Sequence, residues 1–330
     1  MSTIAALSPP DARTFFERMR GRSIMVIGDV MLDEWIWGAV SRISPEAPVP
    51  VVAVSDHSFT LGGAGNVVSN LCALGAQVRF VGAIGNDRLA LRIHGLLEDI
   101  GVSDEALIKV DDRPTTRKTR IVAHNQQVVR ADWESTQPLE ASDRERICAL
   151  VRRYAGEVDG IVLSDYAKGL LSRDVVDAAL PAPVVVADPK PQNLALFAGV
   201  TCVAPNAAEA AAACGITITD DESLETAGSR ILELLHSKYV VVTRGEAGMS
   251  LFGGDGERLH VPSVARSVFD VSGAGDTAVA VLALALAARA PIGLALQLAN
   301  FAAGTVVEKL GTATASAEEI LELVNHDFHA

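Results

Sequence analysis

The amino-acid sequence predicts an α/β protein built on a mostly parallel β-sheet with helices on both faces. Short apolar runs of strand length recur at 23–28, 78–84, 160–163, 184–187, 202–204 and 239–242, and longer helical stretches separate them. Strands that alternate with helices are typical of right-handed βαβ units. The composition agrees, because 49% of the 330 residues are hydrophobic and only 5% are aromatic. Small aliphatic side chains suit helices packed on a sheet that is buried on both faces.

The helical stretches follow the same order along the chain. We expect helices at 62–74, 86–100, 142–154, 173–180 and 221–236, then two Ala-rich helices near 273–290 and 293–309. In the predicted helix 86–100, Leu89, Ile93 and Leu96 recur on one face, and Gly101 ends the helix. No repeat or low-complexity linker interrupts the pattern, which favours one domain over 1–330.

Two segments, 34–58 and 115–133, depart from this alternation. Both are rich in β-branched residues, and prolines punctuate the first of them. Proline is compatible with an edge strand. We therefore expect these segments to leave the main sheet and to form a small β-sheet over one end of it.

Charge and hydropathy exclude several classes of protein. The formal net charge is −13, and a surface this acidic repels phosphate backbones, so we expect no nucleic-acid partner. The most apolar stretch, 277–288, is too short to span a bilayer and is broken by Arg289 and Pro291. The first residues show no cationic and apolar leader pattern. These observations favour a cytoplasmic protein without a membrane partner.

The segment Ser-Gly-Ala-Gly-Asp-Thr at 272–277 is the strongest chemical signal, because it leads into a predicted helix. Small residues at a helix N-terminus let several N–H groups converge on an anion. Asp276 lies in the first turn, where it could accept a hydroxyl proton during attack on phosphorus. An ordinary glycine-rich helix start explains the segment about equally well.

The segment Gly-Gly-Ala-Gly-Asn at 62–66 resembles a dinucleotide fingerprint, but it does not follow the first strand. Its bare backbone could instead approach a polyhydroxylated ligand, with Asn66 as donor and acceptor. Close packing of a helix against a strand is the remaining interpretation.

Two further segments follow predicted strands. Asn206 and Glu209 are three residues apart, so one helical turn places them on the same face, where they could serve Mg²⁺ and phosphate. An ordinary helix cap explains this pair better when it is taken alone. The segment 243–248 offers Thr243, Gly245 and Gly248 at a turn, which suits a triphosphate or a simple hairpin. The sequence contains no GxxxxGK[ST] motif.

The fixed order of these segments resembles the ribokinase (PfkB) family of carbohydrate kinases, essentially from end to end. Segments 62–66 and 81–87 are similar to the family's N-terminal signature, 270–277 to its highly specific C-terminal signature, and 206–209 to its Mg-phosphate motif. At 86–89 the chain departs from the usual N-terminal signature. The resemblance implies a three-layer α/β/α fold, with 34–58 and 115–133 as a lid that in several members also forms a dimer interface.

Within the family, the chain looks most like the heptose 7-phosphate kinases of lipopolysaccharide assembly, through segments 28–33, 41–51, 163–169, 188–190 and 309–314. That resemblance implies ATP-dependent phosphorylation of D-glycero-β-D-manno-heptose 7-phosphate at its anomeric hydroxyl, toward ADP-heptose. The sequence ends without an adenylyltransferase segment, so we expect a stand-alone kinase that acts with a separate adenylyltransferase.

The resemblance also implies roles for individual residues. Asp276 would be the catalytic base, and the amides of Gly273, Ala274 and Gly275 would form the anion hole. The sugar would contact Asp29, Asp33, Gly62, Gly63 and Asn66. Asn206 and Glu209 would organise Mg²⁺, through water in the case of Glu209. The nucleotide region would contain Thr243, Gly245, Gly248 and Asn300. ATP and Mg²⁺ are the expected cofactors, with a monovalent cation as a further candidate.

A sugar phosphate also needs cations for the phosphate that it already carries. The candidates are Lys190, Lys168, Arg117 and Lys118, although a solvated strand face explains the last two equally well. The alternatives are a kinase of the same family for another sugar, a non-catalytic sugar-binding protein on this fold and, more distantly, a dinucleotide-dependent oxidoreductase.

Overall fold

The fold is described from a computed structural model that covers residues 2–4, 6–124 and 126–329. Its strands, in chain order, are β1 Ser2–Thr3, β2 Ser23–Gly28, β3 Val30–Ile43, β4 Pro50–Gly63, β5 Gln77–Gly85, β6 Leu107–Val110, β7 Arg117–Ala123, β8 Gln126–Trp133, β9 Gly160–Ser164, β10 Val185–Asp188, β11 Cys202–Val203, β12 Tyr239–Thr243, β13 Met249–Gly253 and β14 Arg258–Val261.

The α-helices connect these strands. They are α1 Pro9–Met19, α2 Ala64–Ala73, α3 Ala90–Asp99, α4 Ala141–Tyr154, α5 Arg173–Ala179, α6 Ala207–Cys214, α7 Asp221–Leu235, α8 Ala274–Ala287, α9 Ile292–Val306 and α10 Ala317–Phe328. Short 3₁₀ helices lie at Pro191–Phe197 and Gly245–Ala247.

Ten of the described strands form the central sheet, in the order β1-β14-β13-β12-β11-β10-β9-β2-β5-β6. Every neighbouring pair is parallel except β12 with β13 and β13 with β14. The predicted mostly parallel sheet is therefore confirmed. Strands β13 and β14 were not predicted. Only a short turn separates β12 from β13, too little chain for a crossover to a parallel strand, so these two strands pair in the antiparallel direction.

The two faces of the sheet are buried under separate helical layers. In β2, Ile24 and Val26 belong to the buried cluster that also contains residues of α1, α2, α3, α8, α9 and α10, whereas Met25 and Ile27 belong to the cluster of α4, α5, α6 and α7. This alternation follows from the two-residue period of a strand. It explains why β2 is an uninterrupted apolar run, and it confirms the three-layer α/β/α architecture.

The second sheet has the order β4-β3-β7-β8 and is the small sheet expected from the two irregular segments. Its strands are longer than predicted, because β3 begins at Val30 and β4 continues to Gly63. Strands β3 and β7 pair in parallel, with Trp35 opposite Arg120. We call this sheet the lid.

Three predicted helices begin later than expected. Gly62 and Gly63 complete β4, where they pair with β3, and α2 starts at Ala64. Helix α3 starts at Ala90 because the Asp87 carboxylate accepts the N–H groups of Leu89 (2.9 Å) and Ala90 (3.1 Å), which caps a turn before it. Helix α8 starts at Ala274, after Gly273.

The ends of the chain add elements that the sequence analysis did not assign, namely α1 and α10. Each has a side-chain N-cap, from Ser8 and Ser316 respectively. Within the described residues, no helix is both long enough and apolar enough to cross a lipid bilayer.

Candidate active site

The candidate site lies where the carboxyl ends of the parallel strands meet the N-terminus of α8 and the lid. Strands β2, β9 and β10 are neighbours in the sheet, and they end at Gly28, Ser164 and Asp188. In open α/β sheets, ligands bind at this edge of the strands. Most of the residues predicted from the sequence come together here.

Asp276 is at the centre of this site and is 5% exposed. Its Oδ2 accepts a hydrogen bond from Nδ2 of Asn66 (2.9 Å), and its Oδ1 accepts one from the hydroxyl of Tyr166 (2.6 Å). Burial raises the pKa of Asp276 to about 6, although Tyr166, Asn66 and Lys190 oppose this rise. A carboxylate with a pKa just below neutrality suits a general base.

The turn before α8 is shaped by Gly273, which has a φ of 81°. A Cβ at this position would lie 2.5 Å from Nδ2 of Asn66, so a side chain would displace the group that holds Asp276. Gly275 faces open space, since a Cβ there would meet no atom within 4 Å. The N–H group of Ala274 donates to the Val271 carbonyl (3.3 Å), so it must exchange partners to join an anion hole.

On the lid side, Asp33 is 3% exposed and forms an ion pair with Arg120 of β7. Its Oδ2 lies close to Gly62, and a Cβ added at Gly62 would be only 2.2 Å from that oxygen. Gly62 is therefore required to accommodate the carboxylate. The guanidinium of Arg120 also stacks on Trp35, 4.9 Å from the ring centroid. The sequence analysis missed Arg120, because its partner is set by the parallel pairing of two strands that are distant in the chain.

Asp29 does not present a free carboxylate to the site. Its Oδ2 accepts the backbone N–H groups of Tyr166 (2.9 Å) and Lys168 (3.0 Å), and its Oδ1 accepts that of Leu170 (3.4 Å). These hydrogen bonds fix the loop after β9, and the expected contact of Asp29 with the sugar stays a prediction. The neighbouring Gly63 has a φ of 57°.

Each cation proposed for the distal phosphate has an acidic partner. Lys168 contacts Glu134 (2.8 Å), and Lys118 contacts both Asp132 (3.1 Å) and Glu134 (3.5 Å), so the two lysines share one carboxylate. Burial alone would raise the pKa of Glu134, but the two lysines hold it below its usual value.

The other two cations lie apart from this pair. Arg117 contacts Glu34 (3.3 Å) and stacks on Trp133 at 3.7 Å, whereas Lys190 contacts Glu209 (2.5 Å). Lys118 and Lys168 therefore come together, and Lys190 lies on the side of the Asn206–Glu209 motif.

Asn206 and Glu209 form a reciprocal cap at the start of α6. Asn206 Oδ1 accepts the Glu209 N–H (2.9 Å), and Glu209 Oε2 accepts the Asn206 N–H (2.9 Å). No cluster of three or more His, Cys, Asp or Glu side chains in the described part of the chain could hold a metal. Because Oε1 of Glu209 contacts Lys190, all three side-chain oxygens have protein partners, and Mg²⁺ held here would keep water and phosphate oxygens as its direct ligands.

A cavity of about 370 Å³ lies beside the N-terminus of α8, and it contains the predicted nucleotide residues. It is lined by Thr243, Gly245, Gly248, Ala274, Gly275 and Asn300, among others. Its wall is largely apolar, from Val268, Val271 and Val307. The segment 243–248 is the turn of the antiparallel pair β12–β13, so the hairpin interpretation is confirmed. The segment also lines this cavity, and its binding of a triphosphate stays a prediction. Asn300 itself donates to the Pro262 carbonyl (2.8 Å).

Comparison with known proteins agrees with this geometry. Residues 22–320 match the pfkB family carbohydrate kinases. The chain belongs to the pfkB family of carbohydrate kinases. The family expected from the ordered motifs is confirmed, and kinases of this family use ATP with Mg²⁺.

Curated relatives of this pfkB kinase include proteins named bifunctional protein HldE. The protein of Citrifermentans bemidjiense is 45% identical over 322 residues, which cover 96% of this chain and 66% of the relative. That of Pelobacter propionicus is 45% identical over 317 residues, 94% of this chain and 65% of the relative. The pfkB kinase chain thus spans about two thirds of the length of these relatives.

Solved structures support the fold of the pfkB kinase. Arabidopsis thaliana ribokinase, complexed with ribose and ATP, has a TM-score of 0.73 at 20% identity, covering 92% of this chain and 99% of that one. Escherichia coli phosphofructokinase-2, complexed with fructose-6-phosphate, has a TM-score of 0.74 at 18% identity, covering 93% and 99%. The predicted ribokinase-like fold is confirmed.

Proposed function

We propose that this kinase phosphorylates the anomeric hydroxyl of D-glycero-β-D-manno-heptose 7-phosphate and forms the 1,7-bisphosphate, on the path to ADP-heptose. The placement of Asp276 carries the chemical part of the proposal, because this buried carboxylate lies in the first turn of a glycine-rich helix start and is held by Asn66 and Tyr166. The similarity to HldE proteins along 96% of the chain supports the choice of sugar.

In the proposed reaction, the Asp276 carboxylate accepts the proton of the anomeric hydroxyl as the sugar oxygen attacks the γ-phosphorus of ATP. The bond from that phosphorus to the β,γ-bridging oxygen breaks, and ADP leaves. Amides at the start of α8, from Gly273 to Gly275, stabilise the negative charge on the moving phosphoryl group. When bound, Mg²⁺ supplies further charge neutralisation near Asn206 and Glu209.

Sugar recognition is assigned to the lid side of Asp276. Asp33, fixed by Arg120, and Asn66 offer acceptors and donors for sugar hydroxyls, and Gly62 keeps the backbone close. Lys118 and Lys168 form the proposed clamp for the distal phosphate. A phosphate dianion would take the place of Glu134 between the two ammonium groups.

The direct test is a coupled ADP-release assay over heptose 7-phosphate, the unphosphorylated heptose, fructose 6-phosphate and ribose. We expect the highest kcat/KM with heptose 7-phosphate. Activity with other sugars but none with heptose 7-phosphate would instead support another kinase of the family.

Asp276→Asn tests the proposed base and should lower kcat by at least ~10²-fold with little change in ATP affinity. Asp112→Asn, at an exposed position, is the matched control. Near-normal turnover of Asp276→Asn would reject the proposed base.

The phosphate clamp has a separate test. Lys168→Met should raise KM for the sugar phosphate by about tenfold, the loss of one charge-assisted hydrogen bond. KM for the unphosphorylated sugar should stay unchanged. An equal rise for both sugars would place the distal phosphate elsewhere.

Assembly and ion requirements complete the proposal. The outer face of the lid is apolar, with Val54 61% exposed and Val129 49% exposed, and we assign it to a homodimer contact. Light scattering of the wild type and Val54→Lys tests this assignment.

A solved structure of Escherichia coli phosphofructokinase-2 contains potassium. Comparison of turnover in K⁺ and Na⁺ tests whether this kinase requires a monovalent cation. Adenylyl transfer to the product is assigned to a separate catalytic site.

A further inference from the structure

The loop at residues 164–170, between β9 and α5, places a tyrosine on the proposed catalytic base. We call it the Tyr166 loop. The Tyr166 hydroxyl donates to Oδ1 of Asp276 at 2.6 Å, while Asn66 donates to the other oxygen at 2.9 Å. The tyrosine as a whole is half-buried, because its ring borders an open cavity, but its hydroxyl reaches a carboxylate that is only 5% exposed.

Two buried carboxylates fix the backbone of the Tyr166 loop. Asp29 accepts the N–H groups of Tyr166 and Lys168, and Asp165 accepts that of Ala167 (2.8 Å). Ala167 has a φ of 54°, in the left-handed region that a residue with a Cβ rarely adopts. The loop is therefore held in one conformation by specific contacts.

The same loop is tied to the rest of the site. Asp165 also accepts the N–H of Lys190 (3.0 Å) and the side-chain amide of Asn193 (3.0 Å). Gly169 has a φ of 86°, and a Cβ there would lie 2.1 Å from the Gln137 carbonyl oxygen. Above the ring of Tyr166, the Lys190 ammonium lies 5.1 Å from the centroid. Ring and hydroxyl are thus positioned from several sides.

We propose that Tyr166 is a positioning residue that holds the Asp276 carboxylate, together with Asn66, in the orientation from which it takes the sugar proton. The inference rests on the proposed role of Asp276 as the base. An ionised carboxylate has about four lone-pair positions. Two are occupied by Tyr166 and Asn66, which leaves others for the incoming hydroxyl and fixes where they point.

The charges that face Asp276 come from several elements. They are Lys190, which favours the ionised carboxylate, and Asp33 and Asp188, which disfavour it. Burial is the largest influence on the pKa of Asp276 and raises it, and the Tyr166 hydrogen bond is the largest that opposes the rise. Loss of the hydroxyl should therefore raise this pKa further.

The variant Tyr166→Phe removes the hydroxyl and keeps the ring under Lys190. The acid limb of the pH profile of kcat/KM for the sugar should move upward by about one pH unit or more, the effect of losing one hydrogen bond to a charged group. At pH 9, where the base is ionised in both proteins, the variant should remain slower than the wild type, because its carboxylate is no longer held in one orientation. The control is Tyr154→Phe, a nearly buried tyrosine that stacks with Arg79 at 3.7 Å and should leave the profile unchanged.

A second measurement should shift the acid limb of the pH profile in the opposite direction. With Tyr154 and Tyr239 changed to Phe, biosynthetic 3-fluorotyrosine places one fluorinated phenol at Tyr166. The more acidic phenol donates a stronger hydrogen bond, so the acid limb should move to lower pH. The fluorotyrosine protein also tests the inference if Tyr166→Phe fails to fold.

Three results would decide the matter. Opposite shifts of the acid limb in the two proteins support the inference. An acid limb that moves in neither protein assigns Tyr166 a packing function only and overturns the inference. Absence of kinase activity in the wild type instead rejects the proposed function, and full activity of Asp276→Asn rejects the proposed base on which the inference rests.

Discussion

Replacing Asp276 by asparagine should stabilise the protein at neutral pH while it removes activity. The folded environment raises the pKa of this carboxyl from 3.8 to about 6, chiefly through burial. At 1.36 kcal/mol per pKa unit, ionising it in the folded state costs about 3 kcal/mol. Asparagine has the same shape without the charge, and it can still accept from Asn66 and donate to Tyr166.

The sign of the pH dependence follows from which state binds the proton. Between about pH 4 and pH 6 the folded wild type keeps a proton on Asp276 that the unfolded chain has lost, so this stabilising contribution disappears as pH rises through that window. Above pH 6 both states are ionised and the loss is complete. The advantage of Asp276→Asn should therefore grow by about 2–3 kcal/mol between pH 4 and pH 7.5.

Urea denaturation of the wild type and Asp276→Asn at pH 4 and pH 7.5 measures this difference directly. By thermal denaturation at pH 7.5, the gain corresponds to about 4 °C for a chain of 330 residues. Asp112→Asn, at an exposed position, should show no comparable gain. A variant that is less stable than the wild type at pH 7.5, or a difference that does not depend on pH, would refute the reasoning.

The remaining predictions concern three other parts of the site. Gly273→Ala should lower kcat by at least ~10²-fold, because Gly273 has a φ of 81° and a Cβ there would lie 2.5 Å from Nδ2 of Asn66. Gly95→Ala, in a helix with free space around it, should instead stabilise the fold by about 0.5–1 kcal/mol in urea titrations. Arg120→Met leaves Asp33 buried and unpaired, so steady-state kinetics should show a higher KM for the sugar and an unchanged KM for ATP; equal increases in both would contradict this. Asn300→Ala should raise KM for ATP alone, and an effect on the sugar alone would remove Asn300 from the nucleotide site.

Local patterns were sufficient for many elements of the fold. The apolar run 23–28 forms β2 at the same bounds, and 221–236 becomes α7, which ends at Leu235. The starts of α2 and α3 were predicted too early. Where a strand ends and where a helix begins depends on hydrogen-bond partners that the local sequence does not show. Gly62 and Gly63 look like a helix entrance in the sequence, yet their hydrogen bonds to β3 make them part of a strand.

The site was predictable where a segment carries its own chemistry. Glycines before Asp276 indicate a helix start that binds an anion, and the order of motifs indicates the family. Asp29 was expected to contact the sugar because it lies near Asp33 in the sequence, and that contact stays a prediction. The structure adds that its carboxylate accepts backbone N–H groups of a loop more than a hundred residues away. Nothing in a linear pattern records such a partner.

The sequence by itself determined the α/β class, the identity of the base Asp276 as a candidate and the family of kinases, since these depend on residue types at short spacing. Only the tertiary structure decided which groups touch that base. Asn66, Tyr166 and Asp276 lie on α2, on the loop after β9 and on α8. Only the tertiary packing brings a polar atom of Asn66 and one of Tyr166 each within 3 Å of the Asp276 carboxylate. The same packing removes water from the carboxylate, and that desolvation raises its pKa.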